Sequence, residues 1–289
     1  MGSAAGEVGV VEILAPGVRR VVAPNGGPMT GAGTNTYLIG ERELLVLDPG
    51  PDNAGHRAAI LAAAGDVPIR KILVTHTHCD HSPSALPLAQ ETGASLIGAP
   101  MANDGHQDAT FQCDICLSDG TSIEIDGLAL RAIATPGHVA NHFCFLLERQ
   151  GILFTGDHIM QGSTVVIIPP SGDMHAYMHS LRKLQTLGLE ALAPGHGNLI
   201  PTPHETIDAL IQHRLGRERK VREQLALHGP VSLKGLTPHV YDDVDARLHP
   251  VAQYSLWAHL LKLEKEGIAR KQVRDHWLFG DEVWSLLEE

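Results

Sequence analysis

The chain has 289 residues, 43% of them hydrophobic and 19% charged, which fits one large domain or a domain with a small appendage and excludes general disorder. Its formal charge of −11, from 22 Lys and Arg against 33 Asp and Glu, argues against a protein that coats nucleic acid non-specifically. No apolar run reaches the ~18 residues of a membrane-spanning helix, the N-terminus lacks a secretory pattern, and four cysteines are too few for a disulfide scaffold, so a reducing cytoplasm is the expected location.

The first half reads as β-rich. Strands are expected over residues 35–39, 43–47, 71–74 and 95–98, with helices over 55–64 and 83–91. Two alternating runs, 121–125 and 128–134, lie beside the turn pairs Asp119-Gly120 and Asp126-Gly127. Strands over 143–147 and 152–154 flank a polar turn, followed by a helix over 176–187 and a short strand over 189–193. This mixture predicts a sheet core with helices packed outside. After Pro203 the character changes. Residues 204–228 form one long helical pattern, with Ile207, Ile211, Leu215, Val221 and Leu225 apolar, and Gly229-Pro230 breaks it. Beyond lie 231–236, a helix over 244–266, and strand-like pieces over 268–273 and 276–279. Helix, helix and hairpin is the order of a winged-helix module, which places a boundary near His228 and divides the chain into 1–228 and 229–289.

The decisive segment is 71–82, KILVTHTHCDHS. An apolar strand feeds His76, His78, Asp80 and His81. At a strand end His76 and His78 point the same way, because side chains alternate with period two. The turn that follows brings Asp80 and His81 to a neighbouring position, so one loop supplies two metals. Three imidazoles and a carboxylate suit zinc, iron or manganese far better than magnesium or calcium. Cys79 points away from His78 and is not expected to ligate. Four donors do not complete two sites. Three further candidates each end a short apolar strand beside glycine, which lets the backbone turn sharply and a metal approach. They are His138 in Thr135-Pro136-Gly137-His138, Asp157 in Thr155-Gly156-Asp157, and His196 in Pro194-Gly195-His196-Gly197.

HxHxDH, TPGH, a strand-borne Asp and PGHG, in that order, resemble the metallo-β-lactamase-fold hydrolase superfamily. The resemblance implies an αβ/βα sandwich, two facing sheets with helices outside and the metals at one edge, over residues 1–228. Carried over by motif, His76, His78 and His138 hold one divalent ion. Asp80, His81 and His196 hold the other, and Asp157 bridges them. Asp48, in the run Leu45-Val46-Leu47-Asp48-Pro49-Gly50, resembles the strand-end Asp that supports the ligands from behind. A narrower resemblance, to the beta-lactamase-like protein 2 group, rests on Gly27-Pro28-Met29-Thr30, on Gly33-Thr34-Asn35-Thr36-Tyr37-Leu38, on 156–166 (GDHIMQGSTVV), on Tyr177 with Ser180-Leu181, on His213-Arg214 and on 260–267 (LLKLEKEG). The C-terminal module of that group is winged-helix-like, and its animal members are similar to single-strand-specific endoribonucleases. Cys79 stands where such proteins often have Arg.

The resemblance implies two ions, zinc first and manganese or iron as alternatives, that acidify a shared water. The hydroxide so formed is the expected nucleophile, and Asp80 is the expected catalytic residue that both ligates and orients it. His142, Ser163 and Thr164 are the candidate substrate contacts. His175 and His179 share a helix face without a third ligand, and read as an ordinary surface. Cys113 and Cys116 form a lone CxxC, read as free thiols because structural zinc needs four ligands. The favoured function is a phosphodiesterase on single-stranded RNA. Residues 213–276 carry 12 Lys and Arg against 8 Asp and Glu, a local +4 that a phosphate backbone would prefer. The alternative is hydrolysis of a small ester, thioester, lactone or β-lactam. A mononuclear iron site for oxygen chemistry fits seven ligands less well than a binuclear hydrolytic site.

Overall fold

The computed structural model describes residues 6–102, 105, 107–274 and 281–287. The first sheet takes its seven strands in chain order: β1 (Val11–Ala15), β2 (Val18–Val22), β3 (Asn35–Ile39), β4 (Leu44–Leu47), β5 (Ile69–Leu73), β6 (Ser95–Gly98) and β7 (Ile115–Cys116). β1 to β4 pair antiparallel, and β4 to β7 pair parallel. Helices α1 (Ala54–Ala64) and α2 (Ala85–Thr92) make the two parallel crossovers around β5. Asn53 caps α1 by accepting from the His56 backbone N–H.

The second sheet has β8 (Ser122–Ile125), β9 (Leu128–Ala134), β10 (Phe143–Leu147), β11 (Ile152–Gly156) and β12 (Ala191–Pro194), in spatial order β12-β11-β10-β9-β8. Period-two alternation divides the core. Tyr37, Ile39, Leu45, Leu47 and Leu73 turn one way and pack with Leu130, Phe143, Phe145 and Phe154 of the second sheet. Leu38, Leu44, Val46 and Ile72 turn the other way and pack under Ile60 and Ala64 of α1 and Ala85 and Leu88 of α2. Two sheets face to face with helices outside is the expected αβ/βα sandwich.

The chain splits into two compact units that do not follow chain order. The first holds the residues up to Pro136 with 141–165 and 186–206; the second holds 137–140, 166–185 and 207–289. The second unit contains α3 (Met174–Gln185), α5 (Leu233–Val240), α6 (His249–Lys265) and the sheet of β13 (Val231–Ser232), β14 (Ala269–Arg274) and β15 (Asp281–Leu286) in order β13-β15-β14. Helix α4 spans Pro203–His228, and its residues from Ile207 on belong to the second unit. Val221 and Leu225 of α4, Leu236 and Val240 of α5, Leu256, Leu260 and Leu263 of α6, and Trp284 form the winged-helix core.

Two expectations shift. The 244–266 helix starts at His249, after a 3₁₀ turn over Ala246–Leu248, because Pro250 suits only the first turn of a helix. The expected strand over 276–279 lies outside the described residues; β15 follows at Asp281–Leu286. Cys113 and Cys116 are not free thiols but a disulfide, their Cα atoms 5.5 Å apart across the short β7 turn, a spacing ordinary for that bond.

Candidate metal centre

The parallel strands deliver the ligand loops. β5 lies between β4 and β6, so its carboxyl end opens where ligands collect in sheets of this kind. Its apolar run ends at Val74, and Thr75 and His76 follow, both buried. Across the second sheet, β11 ends at Gly156 and β12 at Pro194, which set Asp157 and His196 at the same level of their own parallel pair.

All seven predicted ligands gather, in two groups. Asp80, His81, Asp157 and His196 each offer one ligand atom, and these atoms lie within 4.8 Å of one another; so do those of His76, His78 and His138. His196 Nε2 stands 3.3 Å from both Asp80 Oδ2 and Asp157 Oδ1. His81 Nε2 stands 3.3 Å from Asp157 Oδ1 and 3.7 Å from Asp80 Oδ2. His76 Nε2 meets His78 Nδ1 at 2.9 Å.

The outer nitrogens of these rings are held, which fixes which nitrogen faces inward. His81 Nδ1 donates to Asp48 Oδ2 at 3.0 Å. His196 Nδ1 donates to the Gly33 carbonyl at 3.2 Å, and His138 Nδ1 to the Val166 carbonyl at 3.0 Å. His76 Nδ1 meets the Thr75 hydroxyl at 3.0 Å. Asp48 thus takes the supporting place the motif implies. Its carboxylate also accepts from the Thr75 backbone N–H at 2.7 Å and the Thr75 hydroxyl at 2.8 Å.

The electrostatics divide the groups. Burial pulls the His81 imidazolium down, but the carboxylates of Asp80, Asp157 and Asp48 outweigh it and hold it well above the ordinary histidine range. Burial likewise opposes His196, yet Asp157 and Asp80 push it up to about 9. Burial raises Asp157, and His81 and His196 overcome this to hold it well below the usual carboxylate range. His76 goes the other way, pushed well down by burial and by neighbouring His81 and His78. One group is therefore anionic enough to hold protons on its imidazoles, and the other offers a neutral imidazole at His76. Metals need deprotonated ligands, and a divalent cation replaces the held protons. With nitrogen and carboxylate donors and fixed inner nitrogens, the residues fit two divalent ions.

Glycine is required at two places. A Cβ on Gly195 would lie 2.8 Å from both Asp157 Oδ1 and His81 Cε1, and one on Gly156, at φ +46, would meet the Thr75 hydroxyl at 2.6 Å. The PGHG loop is also tied from β3. Asn35 Nδ2 donates to the Pro194 and Gly197 carbonyls, both at 2.8 Å, and the Tyr37 hydroxyl donates to the Pro194 carbonyl at 2.6 Å.

The predicted substrate contacts fare differently. His142 is 1% exposed, its ring 5.1 Å from that of His76 and its Nδ1 2.9 Å from the Thr135 hydroxyl. The ring is as enclosed as that of the ligand His76 beside it. Ser163 and Thr164 are exposed on the segment after Asp157. Cys79 is exposed and belongs to neither ligand group. His175 and His179 lie on the exposed face of α3, as expected of an ordinary surface. Sequence reasoning missed Thr75 and Asn35 as supports, although both lie inside quoted motifs. It had no signal for the Gly33 and Val166 carbonyls, since any residue supplies one.

Residues 29–196 match the Metallo-beta-lactamase superfamily, and residues 232–277 match the Beta-lactamase associated winged helix domain. The chain is 33% identical over 264 residues to a beta-lactamase-like protein 2 homolog of Caenorhabditis elegans, covering 89% of this chain and 88% of that one. It is 36% identical over 214 residues to an atrochrysone carboxyl ACP thioesterase of Aspergillus fumigatus, covering 73% of this chain and 65% of that relative, just under two thirds of its length. The crystal structure of a beta-lactamase domain protein from Burkholderia ambifaria superposes with a TM-score of 0.81 at 20% identity, over 97% of this chain and 94% of that one, a likeness of fold. With sandwich, ligand groups and matches in agreement, the chain belongs to the metallo-beta-lactamase superfamily, in the group of beta-lactamase-like protein 2 homologues with an associated winged helix domain, and is a metal-dependent hydrolase.

Proposed function

We propose that the chain hydrolyses an activated acyl substrate, a thioester or ester, at a centre of two divalent ions, zinc first among them. His76, His78 and His138 would hold one ion, and Asp80, His81, Asp157 and His196 the other. The chemistry such ions supply when bound is Lewis-acid, polarising a substrate oxygen and acidifying water. Asp80 is the most exposed of its group, at 29% of its side chain against 12% or less for the other three. Its carboxylate is the one that solvent reaches, which suits it to orient a water and take its proton. Asp48 holds His81 in the tautomer that keeps Nε2 free of a proton once a metal binds.

The observation that carries the acyl reading is how the C-terminal charges are used. Of the 12 Lys and Arg in residues 213–276, 6 are tied to carboxylates: Arg217 to Asp243, Lys220 to Asp242, Arg247 to Asp245, Lys262 to Glu218 and Glu266, Lys265 to Asp173, and Lys271 to Glu282. Among the described residues six of these cations thus face a carboxylate, and a phosphate backbone finds fewer open cations than the sequence suggests. The overall −11 and the thioesterase name of a 36%-identical relative support the same reading.

Single-stranded RNA is the competing substrate. The deciding experiment assays zinc- or manganese-loaded protein on acyl-thioesters, aryl esters, lactones, β-lactams and single-stranded RNA, beside Asp80→Ala/His81→Ala. Turnover of a thioester or ester that falls at least about 10³-fold in the double variant supports the proposal. RNA cleavage lost in that variant, without acyl turnover, overturns it.

A further inference from the structure

The ligand loop is braced by a segment that the metal chemistry does not use. The Asp108 backbone N–H donates to the Thr77 carbonyl at 2.6 Å, and the Thr77 hydroxyl donates to Gln107 Oε1 at 2.5 Å. His78 and Gln107 form an isolated β-bridge. The Ser82 hydroxyl donates to Asp108 Oδ2 at 2.8 Å, so both ends of the His76–His81 loop rest on residues 107 and 108. The other carboxylate oxygen of Asp108 accepts from the Thr110 backbone N–H and hydroxyl.

The far end of this strap lies along a short edge strand. Phe111 is buried against Val74 and Leu96, and Cys113 packs beside them. Beyond, β7 is two residues long and pairs with β6 at Ile97 with Ile115 and Gly98 with Cys116, flanked by the Asp114 N–H on the Leu96 carbonyl and the Leu117 N–H on the Gly98 carbonyl, both at 2.9 Å. Strands this short at a sheet edge fray easily. What closes the turn covalently is the Cys113–Cys116 disulfide. Cys116 is exposed, so its sulfur is open to attack, while Cys113 is half-buried.

We infer that Cys113 and Cys116 are a reversible thiol–disulfide site, reduced by a low-molecular-weight thiol or a dithiol protein, whose state sets how firmly residues 107–117 brace the metal-ligand loop. The exchange balances. A thiolate attacks Cys116 Sγ, forms a mixed disulfide and releases the Cys113 thiolate, which takes a proton. A second thiolate attacks the reductant's sulfur in the mixed disulfide and releases Cys116 as a thiolate, which is protonated in turn. Two electrons pass to the protein, and the reductant leaves as its disulfide. With the bond open, β7 keeps only its short hydrogen-bonded pairing with β6, and the brace under Thr77, His78 and Ser82 loosens.

The test uses the full chain loaded with zinc, equilibrated in either oxidised or reduced glutathione and then desalted. Alkylation after denaturation should count two thiols, Cys79 and Cys144, in the oxidised sample and four in the reduced one. Zinc transfer to a chromophoric chelator should be about three- to tenfold faster from the reduced protein, short of the loss expected when a ligand's direct support is removed. Cys113→Ser/Cys116→Ser should release zinc at the fast rate in both samples. Asp108→Asn cuts the strap at its other end, so it should release zinc quickly when oxidised and gain little more on reduction. Two results would overturn the inference: Cys113 and Cys116 staying unpaired in oxidised glutathione, or wild-type zinc release unchanged while the thiol count moves from two to four. Neither readout needs a substrate, so both stand apart from the acyl reading.

Discussion

Asp48 shows how one carboxylate organises the centre. It sits at φ +50 just after β4, is 1% exposed, and its two oxygens take Thr75 and His81. Asp48→Ala leaves a buried N–H and an imidazole without their partner. Zinc affinity at the His81 group should fall about 10- to 100-fold, with Asp48→Asn falling less, in a chelator competition titration. Gly195→Ala should also weaken zinc, because its methyl would lie at 2.8 Å from Asp157 and His81 and displace both. The protons held on His81 and His196 give a second test. In the metal-free protein their pairing with Asp80 and Asp157 stabilises the fold below the ordinary histidine range, and the His196 part is lost as pH rises through about 9. Zinc takes both rings neutral, so loading this group at pH 7 should release about two protons, read by calorimetry in buffers of different ionisation heat. Release near zero would contradict the charge balance. The ligands themselves were legible because the chemistry confines them to a dense motif. Their carbonyl supports were not, because they leave no mark on residue type.

At the scale of elements, β3 serves both core and site. Tyr37 and Ile39 face the second sheet, while Asn35 and the Tyr37 hydroxyl hold the loop that carries His196. The Tyr37 ring meets Phe154 edge-on at 4.9 Å between centroids. Phe154→Ala empties that contact in a fully buried layer and should cost about 3–5 kcal/mol, read as a lower denaturant midpoint at unchanged slope. Strands β3 and β9 were both legible, β9 as an alternating run, and their observed bounds match the expected ones. β1 and β2 were not read. β1 is a mostly exposed edge strand, so its apolar residues do not alternate with burial. α5 contains Gly235 and Pro238, which argue against a helix locally. Ser232 caps it through the Gly235 N–H, and Leu236 and Val240 bury into the winged-helix core, so packing overrides propensity.

Over the whole molecule, the sequence pointed to the right superfamily and the right appended domain. It was least informative about charge placement. A count of 12 against 8 in residues 213–276 reads as a basic surface, yet among the described residues six of those cations pair with carboxylates, several of them within that same stretch. Net charge is additive along a chain, but pairing is set by the fold. The CxxC was misread for a related reason: spacing says which sulfurs can meet, and only the backbone path at β7 says that they do. The reaction chemistry depends on seven side chains holding two ions. The most direct measurement is the metal-to-protein ratio after reconstitution and desalting, for wild type and for His138→Ala and His81→Ala. The account predicts two ions per chain, falling to about one in each variant because each removes a ligand from a different group. A wild-type ratio of one or none, or a ratio that neither variant lowers, would contradict it.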